Sequence, residues 1–236
     1  MPDYLLQLLV VTAGSLVQGS VGFGFALVSA PLLVLIDPSL VPGPATVASA
    51  AVGALNVYRN RGPTDWGGIR WASIGLVPGT VLAGFVLARV SAQSLAVLVG
   101  GLVLTAVLAS LAGVHVGRSP RVLMTAGAVS GFMGTTATIG GPPIALVFQR
   151  ESGPFIRSTL ARFFIVASAM AIVALIAAGR LGIPEAVSGV ALYPGILLGF
   201  WLSKHLLPFL DAGLMRIAIL SVSGVSSIAV LVKELL

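Results

Sequence analysis

Eight apolar runs divide the chain, at about Tyr4 to Ile36, Pro42 to Tyr58, Arg70 to Ala88, Ser94 to Val114, Val122 to Gln149, Ser158 to Gly179, Glu185 to Ser203 and Ala212 to Val232. Most are close to the roughly 20 residues with which a helix crosses about 30 Å of hydrocarbon. In lipid every backbone N–H and C=O must be paired within the protein, so an isolated run of this kind has helix as its local option. The composition agrees: only 8% of the 236 residues are charged, against about a quarter in soluble domains, and mean hydropathy is +1.09. An all-α integral membrane protein is expected.

The first and fifth runs do not fit one crossing. At 1.5 Å per residue the first would stretch to about 50 Å. Each is also interrupted, the first by Gly19, Gly22, Gly24 and Pro31, the fifth by Thr135, Thr136, Thr138, Gly140, Gly141, Pro142 and Pro143. Proline removes a backbone donor and its ring collides with the preceding turn, so an unbroken helix is not expected through either place. Backbone freed there must line a cavity enclosed by protein.

The interruptions recur. Gly19, Gly22, Pro31 and Pro42 return 112 positions later as Gly131, Gly134, Pro143 and Pro154, and Pro78-Gly79 returns as Pro194-Gly195. Chance matching in a chain with 29 glycines is the competing explanation. A true repeat implies two four-segment halves, residues 1–116 and 117–236, within one membrane domain. Broken segments at matching places in two halves point to a secondary transporter with its site where the halves meet.

Loop charges favour one topology. If all eight segments cross, Arg59, Arg61, Arg70, Arg118, Arg121, Arg180 and Lys233 fall on one side, and Arg89, Arg150, Arg157 and Lys204 on the other. If the first and fifth are re-entrant hairpins, Arg59, Arg61, Arg70, Arg118, Arg121, Arg150, Arg157 and Lys204 share a side, opposite Arg89, Arg180 and Lys233. The second division is sharper, and basic residues are retained on the cytoplasmic side. Six full crossings plus two hairpins are therefore preferred, with both termini outside, and eight crossings are the alternative. Tyr58, Trp66, Trp71 and Trp201 flank the basic loops as interfacial anchors in either case.

The net charge of +6 is spread singly through these connections, so it reads as orientation; no nucleic-acid partner is expected. The opening MPDYLLQLLV lacks the basic stretch of a cleaved leader and carries Asp3, so it is read as retained. There are no cysteines, and all seven acids fall in connections or at segment ends. His115 and His205 stand in loops without ligand spacing. No enzyme, metal or cofactor is expected.

Candidate binding residues gather at the interruptions. A helix that begins inside the membrane offers unpaired N–H groups and the positive end of its dipole to an anion. Ser130, Thr135, Thr136 and Thr138 add hydroxyls, while Gly140 and Gly141 admit a ligand close to the backbone. Gln18, Ser20 and Gly22 would face them from the first half. The same small residues could instead serve only to pack helices in lipid. Arg162, just inside the sixth segment, could grip an oxyanion with its forked guanidinium, or snorkel to the headgroups. Asn56 could hydrogen-bond a substrate or bridge two helices.

The stretch GTTATIGGPPIALVF followed by PFIRSTLARFF resembles the second-half signature of the sulfite exporter TauE/SafE family. PGPATVASAAVGALNVYRNRGPTDW resembles the matching connection in that family's first half. The resemblance covers most of the chain. It implies a bacterial inner-membrane transporter of small sulfur-containing anions such as sulfite, sulfonates or sulfoacetate, moved mostly outward. Gly22-Phe23-Gly24-Phe25-Ala26 departs from the glycine triplet of many relatives, which implies a less open first half and a different substrate preference. An anion channel, or a carrier for a non-sulfur anion, is the competing reading. The partners to expect are a small anion and the bilayer, with a homodimer as an option to test.

Overall fold

Both over-long runs are divided into two helices. The computed structural model describes residues 2–112, 117–149, 151, 153–206 and 212–235. The first run forms α1 (Pro2–Val21) and α2 (Phe25–Ile36), the fifth α6 (Pro120–Ala137) and α7 (Gly141–Phe148). At the first break Gly22 and Gly24 have φ of 99° and 110°, where a Cβ meets neighbouring backbone and glycine is favoured. Phe25 N–H then donates to Gln18 Oε1 at 3.1 Å, which pins the turn. At the second break Thr138 is left-handed with φ of 64°, and Ser130 Oγ donates to Gly140 O.

The prolines therefore do not make the breaks, contrary to expectation. Pro142 and Pro143 occupy the first turn of α7, where an N–H has no intrahelical partner to lose. Pro31 lies well inside α2. The left-handed residues Gly22 and Thr138 stand 116 positions apart, four more than the sequence motif. The difference matches the lengths of the returning helices, 12 residues in α2 and 8 in α7.

The remaining helices are α3 (Gly43–Arg59), α4 (Trp66–Leu87), α5 (Ala92–Leu111), α8 (Gly153–Ala177), α9 (Ile183–Ala191), α10 (Tyr193–Leu206) and α11 (Ala212–Leu235). No strand occurs among the described residues. Helices α4 and α6 lie along each other, as do α1 and α10, while α3 packs on α8 and α5 on α11. Lipid tails give apolar helices little reason to associate, so close backbone approach has to supply the contact. A Cβ at Gly79 would stand 1.9 Å from Ala128 O, so α4 and α6 meet at a distance only glycine permits.

The connections gather at two ends. Arg118 pairs with Asp65 before α4 and, at 3.0 Å, with Glu151 before α8. Ser158 Oγ also donates to Gly62 O at 2.8 Å, so the segments leading into α4, α6 and α8 share one end. At the other, Arg180 Nε donates to Leu87 O at 3.0 Å, Gln93 Nε2 to Glu234 O at 2.8 Å and Lys233 Nζ to Leu35 O at 3.4 Å.

Among the described residues six helical stretches are long and apolar enough to cross a membrane: Asp3–Val21, Trp66–Leu87, Ala92–Leu111, Gly153–Ala177, Ile183–His205 and Ile217–Leu235. The chain is a multi-pass membrane protein. These are not the six that the hairpin reading selects, since α1 qualifies and α3, at 17 residues, does not. The aromatic anchors Tyr58, Trp66, Trp71 and Trp201 are all exposed. His115, Arg150 and the side chain of Arg216 lie outside the described residues.

Candidate anion site

Two adjoining hollows, of about 380 and 310 Å³ with their open mouths, lie beside the second break. They share Ser49 of α3, Phe164 of α8, and Thr138 and Gly140 of the break. The larger continues along α6 past Ser130, Gly131, Gly134 and Thr135, and is closed by Thr46 and by Ala167, Ser168 and Ala171 of α8. The smaller reaches the first half at Gln18, Ala26 and Leu27 and the second at Gly141 and Pro142. A Cβ at Gly141 would lie 3.4 Å from Phe23 Cβ, so the two breaks come within side-chain contact of each other.

The donors turned to these spaces follow from the helix starts. The first backbone N–H groups of a helix have no partner within it. In α2 the N–H of Phe25 is taken by Gln18, while Ala26 and Leu27 of the same turn line the smaller hollow. In α7 Pro142 and Pro143 have no N–H, so the donors of that first turn come from Gly140 and Gly141. Thr135 Oγ1 is buried with no hydrogen-bond partner, in a residue lining the larger hollow. A buried hydroxyl left unpaired costs about 1–3 kcal/mol, so a bound oxyanion that accepts from it removes a standing penalty. No residue lining either hollow is charged.

The structure brings together six of the sequence candidates: Gln18, Ser130, Thr135, Thr138, Gly140 and Gly141. The other five lie off the walls. Thr136 is fully buried and donates to Phe132 O at 2.7 Å within α6. Ser20 donates to Leu16 O at 2.8 Å within α1. Gly22 faces Arg157, and a Cβ there would fall 2.9 Å from its Cγ. Asn56 donates to Val52 O at 3.0 Å and accepts from Asn60 Nδ2 at 3.3 Å, within one stretch of chain.

Arg162 lies nine residues past the start of α8, because that helix begins at Gly153 and not at Ser158. Its Nη1 donates to Ser158 Oγ at 2.6 Å, Ser158 O at 3.0 Å and Asn60 O at 3.1 Å. The guanidinium is thus turned back one turn toward the α3–α4 connection. Long side chains on a helix point toward its N-terminus, which accounts for the direction. His205 lies in the last turn of α10 and not in a loop, its ring tilted 45° to that of Trp201 with centres 4.5 Å apart.

Sequence reading passed over Thr46, Ser49, Phe164 and Ser168. A signal was present, since Thr46 and Ser49 are three apart and Phe164 and Ser168 four apart, the spacings that share a helix face. Thr46 Oγ1 lies 3.3 Å from Thr138 Oγ1, which ties α3 to the second break.

The family described as sulfite exporter TauE/SafE matches the chain over residues 6–230. No curated protein and no solved structure matches it.

Proposed function

The chain belongs to the sulfite exporter TauE/SafE family, whose members are membrane transporters, and from that premise we propose that it exports small sulfur-containing anions across a bacterial inner membrane. The substrates are sulfite, sulfonates or sulfoacetate. The observation that carries this reading is the unpartnered Thr135 hydroxyl beside helix starts and glycines from both breaks. Neutral donors suit an anion that must also leave, because no fixed counter-charge holds it.

Two four-segment halves, residues 1–116 and 117–236, rock against each other so that the site opens to one side and then the other. Helix α4 packs on α6 as α1 packs on α10, each pair joining a helix of one half to a helix of the other, and this matched exchange supports the repeat. Six crossings and two hairpins are supported by Arg118. It joins the connections before α4 and α8 at one end, whereas eight full crossings would put them on opposite sides. Helix α1, at 20 residues or about 30 Å, then reaches across before α2 returns.

Exit down an interior-negative potential gains roughly 2.3 kcal/mol per charge per 100 mV, and this drives export. Protein in liposomes loaded with sulfite or ethanesulfonate tests the reading under an imposed potassium diffusion potential. Saturable efflux with counterflow, faster when the receiving side is positive, is expected. Flux that tracks a pH gradient at zero potential overturns the coupling, and non-saturating flux without counterflow makes the protein a channel.

A further inference from the structure

Arg59, the last residue of α3, sits against the end of α1. Its Nη1 donates to Ser203 Oγ at 2.9 Å and Phe200 O at 3.3 Å, and its Nη2 to Gly19 O. The guanidinium lies 3.8 Å from the centre of the Phe200 ring. Arg157 comes toward the same break from α8, with its aliphatic Cγ against Gly22 and its guanidinium turned back beside Gly153, and its charge repels that of Arg59. Arg162 reaches Asn60 O, the next residue along from Arg59. Among the described residues, those lining the hollows beside the second break are all uncharged.

Among the described residues the ion pairs are those of Arg118, so no carboxylate there meets Arg59 or Arg157. Capping of the free carbonyls at the end of α1 explains part of the arrangement. A helix C-terminus carries only about half a negative charge, however, against two whole positive ones. The break keeps an excess of positive charge. An oxyanion meets the guanidinium as an ion pair and can accept from two of its N–H groups at once, which Gly19 O, a single neutral acceptor, cannot do, so an oxyanion competes well for the same donors.

The geometry points to a receiving site for a small oxyanion between Arg59 and Arg157, held closed in this conformation by the carbonyl of Gly19. An arriving anion takes the donors of Arg59 Nη2, and Gly19 O is released. Gln18, the adjacent residue, holds Phe25 N–H and lines the smaller hollow, so the release passes directly to the turn that shapes the site. Anions are therefore admitted at the arginine end and discharged at the end that lacks such a pair. The inference rests on the transport reading for the anion's identity and for its discharge, not for the existence of the site. A lipid phosphate has the same chemistry, and the test separates the two sources.

Full-length protein in phospholipid-free detergent is melted with sulfite, ethanesulfonate or inorganic phosphate. The wild type is expected to gain thermal stability, and R157Q and R59K to need about tenfold more anion for the same gain, as loss of a charge-assisted bond implies. R59K keeps the charge and loses only the fork, so it carries the test if R157Q does not fold. An undiminished shift in both variants, or no shift in the wild type, overturns the site. A shift that appears only with added phosphatidylglycerol gives the arginines to lipid and overturns it too. Loss of the shift in T135V with the arginine variants unaffected removes this site while leaving the hollow, and flux from liposomes judges transport separately.

Discussion

Thr46 Oγ1 and Thr138 Oγ1 stand 3.3 Å apart, and Thr138 is the left-handed residue at which α6 ends. One hydroxyl contact thus ties α3 to the second break. It also offsets part of the cost of holding a β-branched residue at positive φ.

Replacing Thr138 separates those two effects. T138G removes about 1–2 kcal/mol of left-handed strain and forfeits a hydrogen bond worth about 1 kcal/mol, so its melting temperature is expected to stay near the wild type. T138V keeps the strain and loses the bond, and is expected to melt about 2–4 °C lower. Equal melting of both variants would show that the left-handed strain costs nothing, and a T138V protein that melts with the wild type would show that the hydroxyl pair contributes nothing.

Thr135 is expected to respond with opposite signs in two measurements. Thr135→Val removes a buried hydroxyl that has no partner, so the ligand-free protein gains up to about 1 kcal/mol. The same change weakens the thermal shift produced by sulfite or a sulfonate. Thr136→Val is expected to leave that shift unchanged, because its hydroxyl is spent on Phe132 O. A T135V protein that is both less stable and equally responsive to anion removes Thr135 from the site.

The contact between α4 and α6 sets a steric test. A side chain at Gly79 meets Ala128 O, whereas a Cβ at Gly101 meets nothing within 4 Å. Gly79→Leu is expected to abolish a monodisperse peak in size-exclusion chromatography. Gly101→Ala is expected to raise stability by about 0.5–1 kcal/mol through helix propensity. Survival of G79L with wild-type melting would contradict the close approach.

Asp65 serves both as a helix cap and as an ion-pair partner, whereas Arg118 pairs with Asp65 and Glu151. The Asp65 carboxylate accepts from Gly68 N–H at 2.9 Å at the start of α4 and pairs with Arg118. Loss of a helix N-cap costs about 0.5–2 kcal/mol, while an exposed ion pair is worth about 0–1 kcal/mol. Thermal melts are expected to rank D65A below R118A, and the reverse order would assign the stability to the ion pairs.

What the sequence disclosed depended on whether a residue's role was local. The over-long first and fifth runs are a matter of counting, and each does divide into two helices. Their dividing points fall among the named interruptions, at Gly22 to Gly24 and Thr138 to Gly140, but not at the prolines, because Pro142 and Pro143 look like breakers until the helix start beside them is known. Thr46, Ser49 and Ser168 could not be told from residues that let helices pack, since the walls they line are built from separate helices. Arg59 read as one more loop charge, and only the approach of Gly19 and Phe200 distinguishes it.

The returning helix of the first break is 12 residues long and that of the second 8. Four residues are about one helical turn, or 6 Å. In the proposed rocking of the two halves, identical hairpins would leave the molecule indifferent to which way it faced. A hairpin one turn longer than its counterpart would remove that indifference, so on that proposal the empty molecule would favour one facing, and a passenger would have to supply the difference in free energy before the other became populated.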